Sequence, residues 1–437
     1  MKILKLVTIM LICAVQSFAQ ESAPNFDETL VPFYTLPDPL TCMDGSKVTT
    51  TEKWTNVRRA EILKLFSDNV YGVTPDGILP EVSYEVISED RVALNGKAIR
   101  KEVLVKFDKR YPEFNMSILI YLPVCHKGSV PVFLAVNTLG NQEVSDDQGI
   151  IVTKKWVRNS EKYKITNNSA TEASRGARSY RWPIESIIER GYGIATFYCG
   201  DIDRDDKDDY SQGIQKLFAR EGQTKADANE WAAIGAWAWG LSRCLDYFET
   251  DSEIDPARVV VLGHSRTGKA ALWAGAQDTR FAVVISNDSG CGGAAISRRC
   301  FGETVNLINS KFPHWFCGNF KKFNNKEDQL PVDQHMLIAL IAPRPVYVAS
   351  AEDDRWSDPK GEFLSAKHAG PVYSLFGLKG VGVQDMPKVS QPVFNQIGYH
   401  IRKGGHDILP YDWEYFMDFT DYHFYGKNSS ISQKVGL

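Results

Sequence analysis

The chain predicts an α/β fold with a mainly parallel central sheet and helices on both faces, a three-layer sandwich. Two observations lead there. Short β-branched runs alternate with helical patterns through the middle of the sequence. At residues 259–276, a strand, a glycine-flanked turn and a helix follow one another without a gap. Composition agrees with a large globular core: of 437 residues, 43% are hydrophobic and 24% charged, with 22 Phe, 18 Tyr and 10 Trp. The formal net charge of −4, with no basic stripe, argues against a nucleic-acid partner.

The elements are read in chain order. Lys2 to Lys5 is basic, Leu6 to Val15 is apolar, and Ser17-Phe18-Ala19 is a small-x-small site before Gln20. This pattern predicts a cleaved export signal over 1–19 and a single catalytic domain over 20–437, periplasmic or secreted. The apolar run is too short to span a bilayer with room to spare, and no later segment predicts a membrane helix. Residues 20–50 read as an extended arm and 51–69 as a helix. Strands follow at 82–87, 101–107, 116–122 and 131–136, the last ending in the loop Asn137-Thr138-Leu139-Gly140-Asn141. Residues 140–185 read as a polar surface insertion, and 192–199 as a further strand.

The segment Gly200-Asp201-Ile202-Asp203-Arg204-Asp205-Asp206 imitates the start of a calcium loop. Asp206 stands where that loop requires glycine, and Gln212 stands where it requires glutamate. A solvated acidic loop is the reading adopted. A helix is predicted over 226–249, with Trp231, Ile234, Trp237, Leu241, Leu245 and Phe248 on a helical period. Further strands are placed at 259–262, 281–286 and 345–349. Seven cysteines after the signal are scattered and odd in number, so no disulfide scaffold is expected; Cys291, Cys300 and Cys317 are near enough in sequence for one bridge. Nothing has zinc spacing, and neither metal nor organic cofactor is predicted.

Chemistry concentrates at Val259-Val260-Val261-Leu262-Gly263-His264-Ser265-Arg266-Thr267-Gly268-Lys269-Ala270. A strand entering a tight turn and then a helix is the setting of a nucleophile elbow, which lifts a serine hydroxyl above the sheet edge. The second glycine falls one place late, at Gly268, with Thr267 where glycine is usual. The same residues nearly spell a phosphate-binding loop, but Ala270 lacks the hydroxyl that holds magnesium. A serine nucleophile needs an acid and then a histidine further along the chain. His406, in the glycine loop Lys403-Gly404-Gly405-His406-Asp407, fits that order, with His400 and His423 as alternatives. The acid comes either from Asp288, after the strand at 281–286, or from the Glu352-Asp353-Asp354 cluster after the strand at 345–349.

These motifs resemble the glucuronoyl esterases, carbohydrate esterase family fifteen. Gly263-His264-Ser265-Arg266-Thr267-Gly268-Lys269 is similar to their G-x-S-R-x-G-K elbow, which accounts for the late glycine. Ser289-Gly290-Cys291-Gly292-Gly293-Ala294-Ala295, Ala342-Pro343-Arg344-Pro345, Glu352 to Trp356 and Gly405-His406-Asp407 carry the likeness from about Leu36 to the C-terminus. The resemblance implies an α/β-hydrolase fold and cleavage of esters between 4-O-methyl-glucuronic acid on xylan and lignin alcohols. It implies Ser265 as nucleophile, His406 as base, Arg266 at the oxyanion, and Asp354 as the acid with Asp288 as the alternative. Lys269, Glu303 and Trp356 match residues that hold the uronic acid ring. Lys269 lies four residues beyond Ser265 on the predicted helix, hence on its face.

The expected partner is a glucuronoxylan or lignin–carbohydrate ester, met by a monomer with neither nucleic acid nor membrane. Two rivals remain: an acetyl-xylan or other carbohydrate esterase with the same triad, and a non-catalytic glycan-binding protein on a hydrolase fold.

Overall fold

The computed structural model describes residues 23–75, 82–124, 128–206 and 212–426. The proposed export signal and Cys125 lie outside the described residues. Nine strands form one sheet, in the spatial order β1-β2-β3-β5-β4-β6-β7-β8-β9. The outer strands β1 (Ser83–Val92), β2 (Ala98–Lys106) and β3 (Asn115–Pro123) run antiparallel. From β5 (Gly193–Tyr198) through β4 (Val130–Asn137), β6 (Ile254–His264), β7 (Val283–Asn287), β8 (Val346–Ala351) and β9 (Ile397–Arg402), every pairing is parallel. The fold is the α/β-hydrolase fold.

The inner strands β4, β5, β7 and β8 are buried along their whole length, and β6 over Val259–Gly263, because helices cover both faces. Alternate side chains enter different layers. Val259 and Val261 of β6 belong to the core layer that also takes in α3 (Ala233–Phe248), α4 (Arg266–Gln277) and α6 (Pro359–Leu375). Val260 and Leu262 pack on the opposite face with α2 (Ile184–Glu189) and α7 (Pro410–Tyr425). Residues 51–71 wind continuously, with α1 (Arg59–Phe66) between π-helical turns at Trp54–Arg58 and Ser67–Tyr71.

Four expectations need correction. The helix expected from residue 226 begins at Ala233, because Ala232 donates its backbone N–H to Tyr71 O and Val73 takes Asn229 O. Trp231 is buried before the helix rather than on it. The insertion 140–185 is no surface appendage: Gln142, Glu143, Val157 and Ile165 are buried, the last two in the main core. The acidic segment is not solvated either, since Asp201 and Asp205 are 7% exposed and each accepts bonds from several donors. Cys291, Cys300 and Cys317 are all free thiols. No helix among the described residues is long and apolar enough to cross a membrane.

Candidate active site

Parallel strands all end at one edge, so residues just beyond β6, β7, β8 and β9 gather there although they are far apart in sequence. Ser265 caps α4 with φ +58° and ψ −127°, a backbone conformation that costs an L-residue roughly 1–3 kcal/mol. The turn around it is cross-braced. Ser265 N donates to Asn287 O at 2.9 Å, and the Thr267 hydroxyl both donates to His264 O and accepts from His264 N. Gly263 is required by space, since a Cβ there would lie 2.0 Å from Thr267 O. The late glycine has its own reason: a Cβ at Gly268 would press to 3.0 Å against Gly263 O and Ser289 Cβ.

His406 reaches Ser265 from the loop after β9, with Nε2 2.8 Å from Oγ. Its other nitrogen, Nδ1, lies 2.6 Å from Asp354 Oδ2, three residues beyond β8. Ser265, His406 and Asp354 therefore form one hydrogen-bonded chain at the sheet edge. Burial works to raise the Asp354 carboxyl pKa, but the His406 bond and charge outweigh it and hold it below the usual carboxylate range. Asp354 is thus ionised and accepts from His406 Nδ1, which leaves Nε2 facing Ser265. Asp288 is near but differently engaged. Its Oδ2 takes Arg402 Nη2 at 3.2 Å, and burial together with the charges of Glu362 and Asp354 drives its pKa well above the usual range.

Among the described residues, Asp288, Asp354 and His406 also form a group at metal-ligand spacing. Here the Asp354–His406 bond already occupies Nδ1, the histidine atom facing those carboxylates.

Lys269, Glu303 and Trp356, which the resemblance ties to the uronate ring, interact with one another. Glu303 is 8% exposed, its backbone N–H donating to Trp356 O, while Lys311 places its ammonium 4.8 Å from the Trp356 ring centre. Burial raises the Glu303 pKa against the pull of Lys269 and Lys311. Lys269 is more deeply committed than the motif suggested. It is 3% exposed, and its ammonium donates to Ser289 O and, at 2.7 Å, to Cys291 O. A cleft of about 290 Å³ opens between the elbow and the insertion, lined by Trp156, Arg158, Tyr163 and Arg178.

The chain has clear relatives. The family model for fungal glucuronyl esterases matches residues 179–377. The carbohydrate esterase MZ0003 of an unknown prokaryotic organism is 50% identical over 409 residues, 94% of this chain and 94% of that protein. The chain belongs to carbohydrate esterase family 15, the glucuronoyl esterases. The solved glucuronoyl esterase from Solibacter usitatus superimposes with a TM-score of 0.86 at 46% identity, covering 91% of this chain and 100% of its own. A 4-O-methyl-glucuronoyl methylesterase of Schizophyllum commune is 29% identical over 78% of this chain and 74% of its own. This esterase is accordingly a carboxylic-ester hydrolase.

Two supporting residues of the esterase were invisible in the sequence. Arg402, at the end of β9, clamps the histidine loop: its guanidinium donates to Gly405 O and Asp407 O while pairing with Asp288 and Asp412. His264 lies against the His406 ring, centroids 4.6 Å apart, and Asn287 Nδ2 donates to its Nδ1 at 2.8 Å. Burial, with the charge of His406 next, pushes the His264 pKa well down, so His264 stays a neutral neighbour of His406. His264 is adjacent to the motif serine, but nothing in its spacing signals this contact. His400 and His423 lie elsewhere: His400 bonds Tyr347 and Asp412, and His423 bonds Asn395 O.

Proposed function

We propose that the esterase cleaves esters joining 4-O-methyl-glucuronate on xylan to lignin alcohols, with Ser265 as nucleophile, His406 as base and Asp354 as the orienting acid. The observation that carries this reading is the continuous chain from Asp354 through His406 to Ser265. The names of the relatives support the uronate acyl group.

Ser265 Oγ attacks the ester carbonyl while its proton passes to His406 Nε2, and the carbonyl π pair moves onto oxygen. The oxyanion is met by the Arg266 backbone N–H at the first turn of α4 and by the Arg266 guanidinium. The C–O bond to the alcohol then breaks as His406 returns the proton to the leaving oxygen. Water, deprotonated by His406, attacks the acyl-enzyme carbonyl, and the acyl C–Oγ bond breaks as His406 passes that proton to Ser265 Oγ, releasing glucuronate. Glu303 and Trp356 hold the ring, and Lys269 shapes the pocket by fixing the 289–291 backbone while its remaining N–H reaches the sugar. Residues 20–437 act as one catalytic domain, exported behind the signal over 1–19.

The test is hydrolysis of benzyl glucuronate by the wild type and Ser265→Ala, beside the benzyl galacturonate ester and acetylated xylan. Activity on the glucuronate ester, lost in the variant, is the expected result. Cleavage of acetyl groups alone would retain the triad and discard the uronate pocket. Inactivity on all three would favour a glycan-binding protein.

A further inference from the structure

The acidic segment that imitates a calcium loop has a different use in the fold. Asp201 accepts from Ser117 N at 2.9 Å, Asp203 accepts from Gln215 Nε2 at 2.7 Å, and Asp205 points toward the elbow. The Asp205 carboxylate meets donors from three separate parts of the chain. Oδ2 takes Arg266 Nη1. Oδ1 takes His314 Nε2 at 2.9 Å and Trp315 Nε1 at 2.8 Å, both from the segment after α5 (Val305–Lys311). Arg158, from the insertion, lies 3.6 Å from Oδ1 and also bonds the Asp205 carbonyl.

Arg266 is held at a second point. Its guanidinium carbon lies 4.7 Å from the Trp315 ring centre and 5.6 Å from that of Phe312, and these two rings stack 3.7 Å apart. One ion pair and one aromatic face together fix both the position and the plane of a planar group. Among the described residues Arg266 Nη1 bonds Asp205, while Nε and Nη2 have no protein hydrogen-bond partner. An arginine side chain free to rotate would lose much conformational entropy on meeting an oxyanion; one already fixed would not.

We propose that Asp205 is the positioning residue for Arg266, and therefore sets the rate of acyl transfer rather than the affinity for substrate. Burial alone would raise the Asp205 carboxyl pKa. The His314 bond and the charges of Arg266 and Arg158 overcome it and keep the group ionised, so the clamp persists across the working pH range. The inference rests on the acyl-transfer reading above.

The experiment compares wild type, Asp205→Asn, Arg266→Ala and the double variant of the full chain. It measures kcat and KM on benzyl glucuronate and the rate at which a fluorophosphonate labels Ser265. Asp205→Asn is expected to lower kcat and the labelling rate about 10–100-fold with KM changed less than about threefold, and to cost nothing further in the Arg266→Ala background. A loss confined to KM, or an equal loss in both backgrounds, would overturn the proposal. Labelling does not depend on the sugar, so a wrong substrate assignment leaves that arm intact. If Asp205→Asn fails to fold by circular dichroism, Trp315→Phe is run through the same cycle. It removes one donor to Asp205 while keeping a ring under Arg266, and a smaller kcat loss that vanishes in Arg266→Ala is then required.

Discussion

His406 Nδ1 lies 2.6 Å from Asp354 Oδ2, whereas Asp288, one strand nearer the sheet centre, pairs with Arg402 at 3.2 Å. The two acids are thus not interchangeable. Asp354→Asn should keep the geometry but leave His406 in the wrong tautomer, lowering kcat by about 10³–10⁴-fold. Asp288 is buried and bonded to Arg402 rather than to His406, so Asp288→Asn removes no contact with His406, and kcat should fall about tenfold or less. Steady-state kinetics on benzyl glucuronate decides between them, and equal losses would mean that the acids share the role.

The positive φ of Ser265 predicts a trade between stability and activity. Ser265→Gly removes the proposed nucleophile, and it also removes the Cβ that makes φ +58° costly. The variant should be inactive yet more stable by about 1 kcal/mol in urea unfolding. A less stable variant would show that the serine side chain contributes more to the fold than its backbone conformation costs.

Lys269 tests how far the uronate pocket is a structural object. Removing its ammonium leaves the carbonyls of Ser289 and Cys291 buried without that donor. Lys269→Met should therefore destabilise the protein by about 2–4 kcal/mol, measured as a lower urea midpoint at unchanged slope. Unchanged stability with a raised KM would assign the side chain to the substrate alone.

Glu362 gives the stability a pH dependence. It is fully buried beneath the site, accepting from Ser350 Oγ at 2.6 Å and Gly290 N at 3.0 Å, and burial pushes its pKa up to about 8. Between the ordinary value of 4.5 and about 8 the folded chain keeps a proton that the unfolded chain has lost. Its contribution is complete below pH 4.5 and is lost as pH rises through 8. Glu362→Gln is neutral in both states. The unfolding free energy of the wild type minus that of the variant, from urea melts, should therefore fall steadily from pH 5 to pH 8, by about 1.4 kcal/mol per pH unit, then level off. A difference that is flat with pH would mean Glu362 is ionised in the folded state.

Much of this was legible in one dimension. The β-branched strand Val259–Leu262, the sharp turn at Gly263 and the serine between strand and helix are local features, and local spacing reported them. The late glycine at Gly268 looked like a departure from the elbow pattern, but it is a close contact with Gly263 O and Ser289. The acidic segment failed for the opposite reason. Composition alone reads a run of aspartates as solvated, whereas Asp201 and Asp205 are buried because Lys155, Arg158, Arg266, His314 and Trp315 arrive from elsewhere to meet them. Residues 226–232 carry a helical period too, but they turn at 228–229, and a bridge from Val73 to Glu230 ties them to the chain just after the helical stretch 51–71.

By itself the amino-acid order determined the strand–turn–helix around Ser265, the parallel sheet and the family to which the chain belongs, because these depend on residues near one another or on side-chain period. Only the tertiary structure decided which carboxylate meets His406, what clamps Arg266 and where Lys269 spends its hydrogen bonds. Those outcomes depend on which loops reach the same edge of the sheet and at what angle, and an ångström of backbone there separates a hydrogen bond to His406 from an ion pair with Arg402.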